Sequence, residues 1–116
     1  MDGKADSLVY LINAEQLGIG EVAPGKNLMN NFIYALTQHS TVPDAILLLN
    51  TGVRLATVGS DALGNLKKLS ERGCQILSCG MCLNYYEAAD RLCVGRVSNM
   101  IEITGIIAAA ARTVTL

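Results

Sequence analysis

Cys74-Gln75-Ile76-Leu77-Ser78-Cys79-Gly80-Met81-Cys82-Leu83 contains a complete strand-to-helix junction. Cys74 to Ser78 is a short apolar run that reads as a buried strand ending at Cys79. Gly80-Met81 is the turn, and a helical pattern follows from Leu83 to Leu92. Asn84 and Glu87 have the spacing of a capping box, which leaves the start of that helix open. The same alternation extends in both directions. Upstream, Leu8 to Asn13 is a strand, and Ala14 to Lys26 is a loop punctuated by Gly18, Gly20, Pro24 and Gly25. Asn27 is placed to cap a helix running to about His39, with Leu28, Phe32 and Leu36 on one stripe and Met29 and Ile33 beside it. Ala45 to Asn50 is the second strand, Thr51-Gly52-Val53 a tight turn, and Asp61 to Arg72 a short helix stopped by Gly73. Downstream, Val94 to Val97 is a short strand. Ser98 caps a helix from Asn99 to about Ala111 that turns Met100, Ile103, Ile107 and Ala110 inward, and Arg112 to Leu116 is the last strand. Strands alternating with helices in this way predict a single three-layer α/β domain. Its sheet is mostly parallel, of about five strands, with helices on both faces.

Composition agrees. The chain has 116 residues, one domain by size, with 51% hydrophobic and 16% charged residues. A mean hydropathy of +0.36 suits strands buried on both faces. No apolar run approaches the ~20 residues that span a bilayer. The start, Met1 to Ser7, has no apolar signal core and reads as a leader or linker remnant ahead of a domain over 8–116. The expected location is cytoplasmic. A net charge of −1 without a basic block argues against nucleic acid, and the five aromatic residues form no evident stacking platform.

Four cysteines in such a chain point to reduced thiols rather than a disulfide framework. Ligands of open α/β sheets bind outside the carboxyl ends of the strands. Here those ends carry Asn13, Asn50 and Cys79. Asn also suits strand ends for turn chemistry alone. Cys82, nearer the helix N-terminus, is the expected nucleophile, and Cys79 its partner; both lie in a turn rather than on a core-facing stripe. Cys74 and Cys93 read as packing residues. One C-x-x-C supplies too few ligands for structural zinc, and His39 lies at the end of another helix, so no metal or cofactor is expected. The glycine loop matches neither a dinucleotide fingerprint nor a P-loop. Lys26 and Arg54 are candidate anion or thiolate partners, and Gly52 joins them as a pocket residue after the second strand.

Leu49-Asn50-Thr51-Gly52-Val53 and Ile76 to Leu83 together resemble the DsrE/DsrF-like (YchN-like) superfamily. Gly95-Arg96-Val97-Ser98-Asn99-Met100-Ile101-Glu102-Ile103 resembles the C-terminal domain of YedF-type selenium-metabolism proteins. The resemblance covers about Leu8 to Leu116. It implies a compact α/β domain assembling as a homotrimer or homohexamer. It also implies a relay role, in which a cysteine after the third strand carries a persulfide between proteins. Cys82 matches that position best, with Cys79 as an additional thiol. YedF-type proteins place a small TusA-like domain ahead of this one, so the sequence reads as a stand-alone homologue or a separated domain, with a TusA-like protein as donor or acceptor. The expected function is therefore a sulfur or selenium relay. Two alternatives stand beside it: a non-catalytic oligomeric interaction module, and a dithiol oxidoreductase.

Overall fold

Four consecutive buried residues, Ala45 to Leu48, lie at the centre of the molecule. A strand with no polar side requires cover on both faces, and the chain supplies it from two directions. The computed structural model describes residues 6–116. The elements run β1 (Leu8–Ile12), α1 (Val22–Thr37), β2 (Ala45–Leu48), a 3₁₀ segment (Asn50–Ala56), α2 (Leu63–Glu71), β3 (Gln75–Cys79), α3 (Gly80–Tyr85), a short 3₁₀ turn (Ala89–Arg91), β4 (Arg96–Ser98), α4 (Met100–Ala109) and β5 (Arg112–Thr115). The sheet has the order β4-β3-β2-β1-β5 and every strand pair in it is parallel.

Parallel crossovers are right-handed, so the direction of travel across the sheet decides which face a helix covers. From β1 to β4 the chain moves one way. Met29 and Ile33 of α1, Leu66 and Leu69 of α2 and Leu83 of α3 accordingly share one core with Ile12, Ile46, Leu48 and Ile76. From β4 to β5 it returns the other way, so Ile103 and Ile106 of α4 pack on Val9, Ala45, Leu47, Leu77 and Cys79. The leader expected over 1–7 lies, through Ala5, outside the described residues. Ser7 is buried, and its hydroxyl accepts the Ala111 N–H at 2.8 Å.

Several boundaries differ from the sequence reading. Helix α1 begins at Val22, not after Asn27, and takes Pro24 and Gly25 into its first turn. Proline is tolerated there because first-turn N–H groups have no intrahelical acceptor. Gly25 is buried against Gln16, where a side chain would collide. Helix α3 starts at Gly80 and stops after six residues. Glu87, with φ of 54°, turns the chain out of it, so Asn84 and Glu87 form no capping box. The cap of α4 is Asn99, whose Oδ1 accepts the Glu102 N–H at 3.0 Å, rather than Ser98. Met100 is half exposed instead of core-facing. The carbonyls of Thr37, the last residue of α1, and of His39 and Ser40 just beyond it accept hydrogen bonds from the Arg72 guanidinium at 2.8–3.1 Å.

Gly52 has a packing role rather than a pocket role. A Cβ there would overlap the Ile12 carbonyl oxygen, so only glycine lets the 3₁₀ segment lie against the end of β1. Gly52→Ala is expected to lower stability by about 2–3 kcal/mol, read as a lower urea midpoint at unchanged slope; a midpoint equal to wild type would show that this approach does not matter.

Candidate functional site

Three of the strand-end residues meet. Asn13 follows β1, Asn50 follows β2 by way of Leu49, and Cys79 ends β3. All three line one cleft of about 600 Å³ at the carboxyl edge of the sheet. Cys82 joins them from α3, and Met81, Tyr85, Tyr86 and Met100 complete the wall. Cys79 is buried against α4, whereas Cys82 is partly exposed to the cleft; both are free thiols.

The two thiols line the same cleft, and Cys79 acts on the Cys82 thiol as a near neighbour. Cys82 Sγ also accepts the backbone N–H of Asn50 at 3.1 Å. Asn50 is held in the left-handed region, φ 51°, which Asn tolerates better than most residues. Its Oδ1 accepts the Tyr86 hydroxyl at 2.8 Å, and the Arg54 guanidinium lies 4.4 Å from the centroid of the Tyr86 ring. A chain of contacts thus runs from Arg54 through Tyr86 and Asn50 to the Cys82 sulfur.

The net direction of the Cys82 pKa is upward. Burial is the main cause and the neighbouring Cys79 adds to it, while the Asn50 N–H pulls the other way. Placement at the start of α3 predicts a favoured thiolate; in this environment desolvation and Cys79 instead outweigh the one lowering contact, the Asn50 N–H. Cys74, in the core, is pushed up to about 12, first by burial and then by Asp44. Cys93 is exposed, its thiol donating to the Arg91 carbonyl at 3.4 Å.

Lys26 and Arg54 do not reach the thiols. Both face Glu15, at 3.9 and 3.3 Å, in a separate cavity beside α1. Gly52 is not among the residues lining the cleft. The sequence reading missed Tyr86, Tyr85, Met81 and Met100. The two tyrosines pack edge to face, centroids 5.0 Å apart. Their adjacency to the C-x-x-C turn was the available signal. On the far side, Arg96 holds Glu102 through two hydrogen bonds of 2.8 and 2.7 Å, and Ser98 donates to the same carboxylate. The Arg96 and Ser98 bonds hold the Glu102 carboxyl at about 2. This clamp ties β4 to the first turn of α4, and so places Met100 at the cleft. Among the described residues, no group of three His, Cys, Asp or Glu side chains is arranged to hold a metal ion. None of their helices is long and apolar enough to cross a membrane.

No protein-family model matches the chain, and no curated protein matches it. Solved structures do. The crystal structure of the ychN protein from E. coli superimposes with a TM-score of 0.74 at 15% identity, covering 96% of this chain and 99% of that one. A protein of unknown function from Methanobacterium thermoautotrophicum, MTH1491, does so with a TM-score of 0.69 at 16% identity, again over 96% and 99%. The fold is therefore YchN-like, an α/β domain as the strand pattern predicted and the fold that the resemblance of Leu49–Val53 and Ile76–Leu83 implied.

Two outcomes follow from the thiol environments. Tyr86→Phe keeps the ring under Arg54 but removes the hydroxyl that holds Asn50. The Asn50 N–H then supports Cys82 less well and its pKa rises further. Alkylation of Cys82 at neutral pH is expected to slow about threefold, with the pH–rate curve displaced to higher pH; an unmoved curve contradicts the contact chain. For Cys74, the native state retains a proton that the unfolded chain gives up near the ordinary thiol value of 9.0. Its contribution to stability is complete below pH 9 and is lost as the pH climbs toward 12. Denaturant titrations above pH 9 should therefore show a shallower alkaline loss in Cys74→Ala than in wild type.

Proposed function

We propose that this domain is a sulfur or selenium relay protein. Cys82 carries the cargo as a persulfide-type species and Cys79 is the second thiol. The observation that carries this reading is the pairing of two free thiols in one cleft at the carboxyl rim of a parallel sheet, Cys82 partly exposed and Cys79 buried. Cys82 loses its proton to solvent and its thiolate attacks the outer sulfur of a donor persulfide. A new S–S bond forms and the donor thiolate departs. An acceptor thiolate then takes the outer sulfur and Cys82 leaves as thiolate. Alternatively the Cys79 thiolate attacks Cys82 Sγ, expels hydrosulfide and leaves a Cys79–Cys82 disulfide, which a dithiol reductant resets.

The raised pKa of Cys82 suits a carrier. It lowers the thiolate fraction at rest, yet it also makes Cys82 a poorer leaving group, so the loaded sulfur stays until an acceptor is docked. The similarity of Gly95 to Ile103 to YedF-type C-terminal domains supports selenium as a cargo and a TusA-like protein as donor or acceptor, in the cytoplasm. A second reading, an oligomeric interaction module forming a homotrimer or homohexamer, is favoured by one observation: Met81, Tyr85 and Met100 stand exposed at the thiol cleft. It predicts that Cys79→Ala and Cys82→Ala leave cellular function intact. Thioredoxin-like dithiol exchange is disfavoured, because Pro24 lies in α1 and Pro43 at the opposite end of β2, where neither faces the cysteine pair.

The test is the intact mass of reduced protein after exposure to a persulfide donor. One added sulfur is expected in wild type and in Cys79→Ser, and none at this site in Cys82→Ser. Loss only in Cys79→Ser would reverse the two roles, and no adduct in wild type with accessible thiols would sink the relay reading.

A further inference from the structure

Every side chain lining the thiol cleft is uncharged. Leu49, Met81, Met100 and the two tyrosine rings give it an apolar wall, and its polar groups are the two thiols, Asn13, Asn50 and the hydroxyls of Tyr85 and Tyr86. Arg54 is stacked on Tyr86 and is not among the lining residues. That ring lines the thiol cleft on one side and, on the other, a cavity containing Arg54, Glu15 and Arg91. Arg54 is stacked on the ring and paired with Glu15, and Lys26 faces the same carboxylate. An anion entering the cleft would give up water and meet no counter-charge, whereas a neutral sulfur compound would exchange water for thioether and aromatic contacts. Met81 and Tyr85, at 75% and 80% exposure, are open at the cleft, so this preference acts on the incoming group before it reaches Cys82.

We propose that the cleft selects uncharged, apolar sulfane-sulfur compounds, organic polysulfides or neutral persulfides, and discriminates against small oxyanion donors such as thiosulfate. This rests on the relay reading for the reaction, and on the lining of the cleft alone for the selectivity. With a neutral trisulfide R–S–S–S–R, the Cys82 thiolate attacks an outer sulfur. The bond between that sulfur and the central one breaks, and the persulfide R–S–S⁻ leaves. Cys82 is then joined to R–S, and a thiol co-substrate exchanges with that mixed disulfide, restoring the Cys82 thiol. Attack on the central sulfur instead expels R–S⁻ and leaves Cys82–S–S–R, from which the same class of thiol, attacking the R-bearing sulfur, releases Cys82 persulfide. Thiosulfate would have to deliver its outer sulfur and release sulfite within the uncharged cleft.

The experiment reads Cys82 by peptide mass in Cys93→Ser protein, first with iodoacetamide against iodoacetate, then with dimethyl trisulfide plus thiol against thiosulfate. Relative to free cysteine under the same conditions, iodoacetamide is expected to be favoured about tenfold. The trisulfide should load Cys82 where thiosulfate does not. Met81→Lys, at an exposed position that tolerates the change, should recover the iodoacetate rate. Equal relative rates for the two alkylating agents, or no effect of Met81→Lys, overturn the selectivity whatever happens with sulfur. Equal loading from thiosulfate overturns it while leaving the relay intact. Clear alkylation selectivity with no loading from either donor upholds selection of uncharged ligands and overturns the relay.

Discussion

The site depends on the level at which three parallel strands stop. Ile12, Leu48 and Ser78 lie in one row of the sheet, β1 to β2 to β3. The next residues therefore reach one rim together: Asn13 and Leu49 leave the sheet there, and Cys79 ends β3 paired with Ser98. The Leu49 N–H donates to the Ile12 carbonyl at 2.9 Å, and the Gly52 N–H to the Leu49 carbonyl at 2.8 Å, so the 3₁₀ segment turns directly over the end of β1. In a sheet with period two, a one-residue slip of β3 would move Cys79 to the opposite face and Ser78 to its place. The four buried residues of β2 make such a slip costly, since each is matched to a neighbour on both sides.

From that rim outward, each element constrains the next. Asn50 in the left-handed region sends the chain out of β2 and leaves its N–H facing the Cys82 sulfur. Tyr86 holds Asn50 from the end of α3, and Arg54, fixed by Glu15, supports Tyr86 from behind. The return crossover places α4 on the other face, where it buries Cys79, and the Arg96–Glu102 pair closes that side. The two thiols thus share the cleft but are unequal: Cys79 is buried in the core under α4, and Cys82 is partly exposed.

Much of this was legible in the sequence because two periodicities dominate it. Apolar runs such as Ala45 to Leu48 have no polar alternation and fit only a doubly covered strand, and the cysteine pair falls where such a strand ends. The start of α1 was not legible, because Pro24 and Gly25 signal a loop unless they occupy a first turn, and the sequence does not distinguish the two. The partners of Lys26 and Arg54 were hidden for another reason. Charge pairing with Glu15 depends on how the loop after β1 folds back, which no local pattern encodes. Tyr86 was missed because the helical pattern continues to Leu92 in sequence, while the chain leaves the helix at Glu87.

The central claim is that the sulfur of Cys82, not the other thiols, receives cargo inside an uncharged cleft at the strand ends. A crystal structure of the protein after treatment with a neutral sulfane-sulfur donor and thiol tests it most directly. The expected result is one extra sulfur on Cys82 Sγ, lying between Met81, Tyr85 and Met100 with the Asn50 N–H still on Sγ. Extra density on exposed Cys93, with Cys82 unmodified, would contradict it.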